Sequence, residues 1–175
     1  WNKMLESWLR DEFGLIRSKS DDCLFIKDDG DNFLAVALYV DDLVIVGSNA
    51  AIISKFKTAI ANRFKMTDLG RIKWWLGIEI NCDPSNKTVT LNQSKYIDDM
   101  RDKFLGTKYV KRTLPAPHGF KLSKRDCPTP GSNEAKRMAS MPYKSLIGSL
   151  LYACHTRPDV CYHVNMLAGY MANPG

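Results

Sequence analysis

Two adjacent carboxylates, Asp41 and Asp42, interrupt a long apolar stretch at residues 33–47, which reads Phe-Leu-Ala-Val-Ala-Leu-Tyr-Val-Asp-Asp-Leu-Val-Ile-Val-Gly. Oxygen ligands of this kind suit a hard divalent cation such as Mg²⁺, which takes one or two protein carboxylates and fills its other positions with water and substrate phosphate. Two such ions about 3.5–4 Å apart clamp the attacking and leaving oxygens of a phosphoryl transfer. The competing account is plainer: Asp is an ordinary turn residue, because its side chain bonds nearby backbone. On local chemistry alone both accounts stay open.

Either account constrains the elements that carry the pair. The Val, Leu and Ile on both sides suit a pleated, buried surface, and an unpaired charge in such a surface is costly. Successive strand side chains also point to opposite faces, so two neighbouring acids converge only where the backbone turns. The expectation is therefore a hairpin with Asp41 and Asp42 at its tip. Residues 1–15 carry Leu5, Trp8 and Leu9 at helical spacing and stop at Gly14, which predicts a helix packed on the sheet. Residues 23–27 read as a strand, and the acids of Asp28-Asp29-Gly30-Asp31 as solvated turn residues. Asn49 caps a helix whose Ile52, Phe56, Ile60 and Phe64 form one stripe.

Residues 74–80 read as the next strand, turning at Asp83-Pro84-Ser85-Asn86 and returning through residues 88–91. Alternation of faces sends the ring of Trp74 or of Trp75 into the sheet packing. A helix is predicted after Asn92, with Tyr96, Ile97, Met100 and Phe104 on one side. Residues 114–133, with Pro115, Pro117, Pro128 and Pro130, read as an extended connector. Two further helices follow, on the stripes Tyr143, Ile147, Leu150, Leu151, Cys154 and Val160, Val164, Leu167, Met171, with Pro158 restarting the second.

The 175 residues, 45% of them hydrophobic, are enough for one domain with a sizeable core. No apolar run approaches the roughly 18 residues of a membrane span, so no membrane partner is expected. A start at Trp1 points to a piece of something longer. Five scattered cysteines without a Cys-x-x-Cys pair fit a reduced, intracellular protein. Cys154, His155, Cys161 and His163 crowd together without zinc-ligand spacing. The net charge of +6 is local: residues 92–125 hold nine Lys or Arg against the three acids Asp98, Asp99 and Asp102, and elsewhere the charges cancel. A basic segment in an otherwise neutral chain suits a phosphate backbone, or simply a solvated face.

Tyr39-Val40-Asp41-Asp42 between two apolar runs resembles the Tyr-x-Asp-Asp signature of reverse transcriptases. In order after it come Asp68-Leu69-Gly70, Trp75-Leu76-Gly77-Ile78-Glu79-Ile80, Gln93-Ser94-Lys95-Tyr96-Ile97, Gly148-Ser149-Leu150-Leu151-Tyr152 and Thr156-Arg157-Pro158-Asp159-Val160-Cys161-Tyr162. The series is similar to the reverse transcriptase domain of copia-type LTR retrotransposon polyproteins, across nearly the whole chain. The resemblance implies an α+β fold, an antiparallel palm sheet with helices on one face followed by a helical, thumb-like part. The palm would take residues 1–92 and the start of the basic thumb 93–113. The connector would take 114–133, and the last helical pair 134–175.

It also implies RNA-directed DNA synthesis with Mg²⁺, or Mn²⁺ in its place, and Asp41 and Asp42 as catalytic metal ligands, Asp42 aimed partly away. Tyr39 and Val40 would lie near the primer terminus, and Trp75, Leu76 and Gly77 would grip it. Lys95, Arg101, Lys103, Lys108, Lys111 and Arg112 would contact primer–template. Implied partners are an RNA or DNA primer–template, a dNTP, and the fingers, RNase H, integrase and protease of the Pol polyprotein. The implied setting is a cytoplasmic virus-like particle with a nuclear stage. A third aspartate from an earlier strand is absent, so the chain alone is expected to be inactive. The alternatives are a non-catalytic nucleic-acid-binding or oligomerisation fragment, and an inactive transposon relic.

Overall fold

The computed structural model describes residues 2–106 and 109–175. They divide into two compact units, Trp1–Ile72 and Lys73–Gly175.

In the first unit, helix α1 (Asn2–Phe13) ends at Gly14, whose φ of 67° lets its N–H reach the carbonyl of Arg10 at 2.9 Å. Strands β1 (Ile16–Arg17), β2 (Leu24–Asp28), β3 (Phe33–Tyr39) and β4 (Asp42–Gly47) form an antiparallel sheet in chain order. The β3 alternation is regular: Leu34, Val36 and Leu38 are buried, while Phe33, Ala35 and Ala37 are half-buried on the other face. Helix α2 (Ala50–Arg63) starts where Asn49 accepts a hydrogen bond from the N–H of Ile52 at 2.9 Å, as expected. Its Phe56 and Ile60 pack with Leu5 and Leu9 of α1 against Phe25, Leu34, Val36 and Leu38. Both helices thus cover one face of the sheet, and burial of a side chain such as Phe56 contributes about 2–3 kcal/mol. Gly47 sits where β4 meets α2, and a Cβ there would come within 2.9 Å of Ile52 and 2.8 Å of Ile53. Only glycine lets strand and helix approach so closely.

In the second unit the structure corrects one expectation. Residues 74–80 are not one strand but two, β5 (Trp74–Trp75) and β6 (Ile78–Asp83), joined by Leu76 and Gly77. Both loop residues have positive φ, 52° and 83°, the backbone of a tight two-residue hairpin turn. The chain then turns at residues 84–87 and returns as β7 (Thr88–Asn92). Trp75 lies on the apolar face with Ile78 and Ile80 and is half-buried, while Trp74 is exposed on the polar face beside Glu79. Helix α3 (Ser94–Phe104) follows as predicted, then the irregular connector, which includes one 3-10 turn at Lys124–Asp126. A short helix, α4 (Asn133–Ala139), capped by Ser132, was not expected. Helices α5 (Tyr143–Ala153) and α6 (Pro158–Ala168) pack together, Ile147, Ala153 and Val164 are buried, and the Tyr143 hydroxyl donates to the carbonyl of Leu167 at 2.9 Å. With antiparallel sheets and helices segregated from them, the α+β class holds. Among the described residues no helix is long and apolar enough to cross a membrane.

Candidate functional site

The predicted aspartate hairpin is present. Strands β3 and β4 pair over six rungs, from Leu34 with Gly47 up to Tyr39 with Asp42, which leaves Val40 and Asp41 as a two-residue loop. Val40 has a φ of 53°, and Asp41 is not among the residues with positive φ. That sign pattern is the one of a type II′ turn, whose first position is ordinarily glycine. A β-branched side chain there is an outlier, maintained because the paired strands over-determine the loop. Asp42 stands on the sheet face away from the helices, level with Tyr39 and one rung pair above Ala37 and Val44. Asp41 stands in the loop itself.

Both carboxylates are exposed, and among the described residues neither has a hydrogen-bond or ion-pair partner. Their oxygens are therefore free for a ligand. Two all-oxygen donors on a rigid ribbon fit a hard divalent cation that draws its remaining ligands from water and phosphate. Among the described residues no third acid, His or Cys joins them in a group that could hold a metal. The same holds for the cysteines and histidines near the chain end, where the Cys161 thiol instead donates to the carbonyls of Cys154 and Arg157. Burial and the neighbouring Cys161 push the Cys154 thiol up to about 11.

The structure brings Tyr39, Val40, Asp41 and Asp42 together at one tip, and Trp75, Leu76 and Gly77 at another. Of the basic candidates, Lys95, Lys103, Lys111 and Arg112 are exposed, with no acidic partner among the described residues. Arg101 differs. Its guanidinium bonds Asp98 at 2.6 Å and Asp102 at 2.8 Å and lies over the ring of Tyr109, so its charge is already answered within α3. Lys108 lies outside the described residues. Three residues quoted in the sequence motifs but not placed among the site candidates, Gln93, Tyr152 and Thr156, form a hydrogen-bonded group with the Leu76 carbonyl. Gly77, set within a run of strand formers, was the one residue in the sequence that could have marked a turn here.

Residues 1–117 match the family described as reverse transcriptase (RNA-dependent DNA polymerase). The chain belongs to the reverse transcriptase family. It is 35% identical, over its whole length, to a stretch making up 13% of the retrovirus-related Pol polyprotein from transposon TNT 1-94 of Nicotiana tabacum. The figures for the Pol polyprotein from transposon RE1 of Arabidopsis thaliana are 30% identity over 99% of this chain and 11% of that protein. A putative transposon Ty5-1 protein of Saccharomyces cerevisiae is 26% identical over 99% of the chain and 54% of its own length. These are copia-type relatives, and the chain spans only about an eighth of the two plant polyproteins. No solved structure is a significant match. Reverse transcriptases act on nucleic acid with divalent metal ions, which agrees with the free carboxylates at the hairpin tip.

Proposed function

We propose that this chain supplies the Tyr-x-Asp-Asp part of the polymerase site of a copia-type Pol polyprotein, adding deoxynucleotides to a primer on an RNA or DNA template. The observation that carries the reading is the pair of unpartnered carboxylates at the tip of a strained, six-rung hairpin. Asp41 and Asp42 would hold Mg²⁺, Asp41 directly and Asp42 less so, since Asp42 leaves along the strand. When bound, the ions supply charge neutralisation at the α-phosphate and a lower pKa for the primer 3′-hydroxyl. Tyr39 and Val40 would lie against the primer end, and the Leu76-Gly77 loop would hold it. Exposed Lys95, Lys103, Lys111 and Arg112 would follow the phosphate backbone.

Two carboxylates are one short of a full set for two ions. Strand β4 is bonded only to β3 among the described residues, and a further palm strand carrying the third aspartate would pair along that free edge. Fingers, RNase H, integrase and protease would be parts of the same polyprotein. The isolated chain is then inactive, and metal-dependent primer extension by these 175 residues alone would refute the assignment. In the complete enzyme, Asp41→Ala should abolish synthesis while salt-sensitive primer–template binding survives. The second reading, a binding module without catalysis, has the exposed basic residues in its favour. It predicts the same binding and indifference to Asp41→Ala.

A further inference from the structure

The second hairpin tip has little of its own to hold it. β5 is two residues long, pairing Trp74 with Glu79 and Trp75 with Ile78, and Leu76 adopts a backbone that leucine disfavours. The residue is 42% exposed. The support comes from far along the chain. The phenol of Tyr152, near the end of α5, donates to the carbonyl of Leu76.

Tyr152 is itself fixed from several sides. Its ring meets that of Tyr96 edge to face, with centroids 5.0 Å apart, and the Tyr96 hydroxyl donates to the carbonyl of Ser149 at 3.1 Å. Gln93, only 2% exposed, donates from Nε2 to the carbonyl of Tyr152 at 3.3 Å and accepts from the Thr156 hydroxyl at 2.7 Å. A buried amide satisfied at both ends is costly to disturb, because losing one partner leaves a desolvated polar group. Gln93 occupies the junction of β7 and α3, and its side chain does not cap α3. It is spent on the α5–α6 turn instead. One buried side chain therefore ties the β6–β7 ribbon, α3 and the last helical pair to the residue that holds the loop.

We propose that Tyr152, held by Gln93, Tyr96 and Thr156, is a positioning residue for the primer 3′ end. Its hydroxyl sets the orientation of the Leu76–Gly77 peptide, and with it the backbone that the loop presents to nucleic acid. This rests on the reading of that loop as the primer-holding element. Gly77 fits the arrangement, since a Cβ there would face the Tyr152 hydroxyl at 3.9 Å while its φ of 83° excludes most side chains.

The test is made in the complete reverse transcriptase that carries this chain, with Tyr152→Phe, which keeps the ring and removes one hydroxyl. Hydrogen exchange across residues 75–78 should speed up about fivefold, the worth of one neutral hydrogen bond. KM for primer–template should rise by a similar factor while KM for dNTP stays near the wild-type value. Thr156→Val, which deprives the Gln93 amide oxygen of its donor, should shift both readouts in the same direction, and Thr156→Ser should restore them. Unchanged exchange in Tyr152→Phe overturns the anchor. Faster exchange with an unchanged primer KM leaves the anchor standing and overturns the loop's role in holding the primer. Faster exchange throughout the second unit, with both KM values moving together, marks a merely structural tyrosine and also overturns the proposal.

Discussion

The two hairpin tips solve the same problem by different means. Each is a two-residue loop that forces a bulky residue, Val40 or Leu76, to a φ near 50°. The first is held from below, by six rungs of pairing and a core of buried Leu, Val, Phe and Ile side chains. The carboxylates of Asp41 in its loop and Asp42 at the head of β4 need no protein partner, and so keep their lone pairs for a ligand. The second has two rungs on its short side and is held from outside, by the hydroxyl of Tyr152. A tip that must expose charge gains from a support that touches nothing at its end. A tip that presents backbone can accept an anchor on that backbone.

The largest test of this contrast is chemical. Asp41→Asn keeps shape and removes charge, so DNA synthesis by the complete enzyme should fall by a factor on the order of 10³ or more. Folding should barely change, within about 0.5 kcal/mol, because the side chain touches nothing. A primer-extension assay beside a denaturation curve reads both. Next in size is Phe56→Ala, which hollows the core under the first tip and should destabilise the first unit by about 3–5 kcal/mol. Denaturant midpoints should drop accordingly, while exchange across residues 75–78 stays at its wild-type rate. If that rate changes as well, the two tips do not have separate supports.

Much of this was legible in the residue pattern. The aspartate hairpin followed from alternation and from the cost of burying charge. The α2 stripe and its Asn49 cap followed from spacing alone. The second tip did not, because Trp-Trp-Leu-Gly-Ile-Glu-Ile is made of good strand formers and only Gly77 marks the break. Tyr152 lay outside the apolar stripe of its helix and drew no role, since nothing local shows that its hydroxyl finds a carbonyl 76 residues away. Gln93 was hidden for the same reason, its partners lying 59 and 63 residues on. Short α4 escaped because seven residues give too little periodicity to register.

The loops themselves offer a finer comparison. Gly77→Ala places a Cβ at a φ of 83° and should cost about 1–2 kcal/mol, whereas Asp41→Ala, at the equivalent second position, should cost almost nothing. Val40→Gly should do the reverse and relieve strain, raising stability by roughly 0.5–1 kcal/mol after the added freedom of the unfolded chain is counted. Thermal melts of the three variants decide the matter. A neutral Gly77→Ala would show that the second loop relaxes despite its anchor.

The smallest effect concerns a pair next to the second tip's support. Arg157 grips Asp159 through two hydrogen bonds, of 2.8 and 2.6 Å, across the restart of α6 and one residue beyond Thr156. The bond from Arg157 holds the Asp159 carboxyl below its usual value of 3.8. A carboxyl with a lowered folded pKa contributes stability that is fully present above the unfolded value and is lost as pH falls through the folded one. The pair is solvent-exposed, so its contribution is small. Asp159→Asn removes it at every pH. The variant's melting temperature should therefore sit slightly below wild type at neutral pH, and the gap should close as pH falls beneath 3.8. Exchange across residues 75–78 should follow the same course, slightly faster in Asp159→Asn at neutral pH, because the turn that positions Thr156 also positions Gln93 and Tyr152. The first tip should show no such response, and a pH-independent gap would mean that Asp159 acts through packing rather than through its charge.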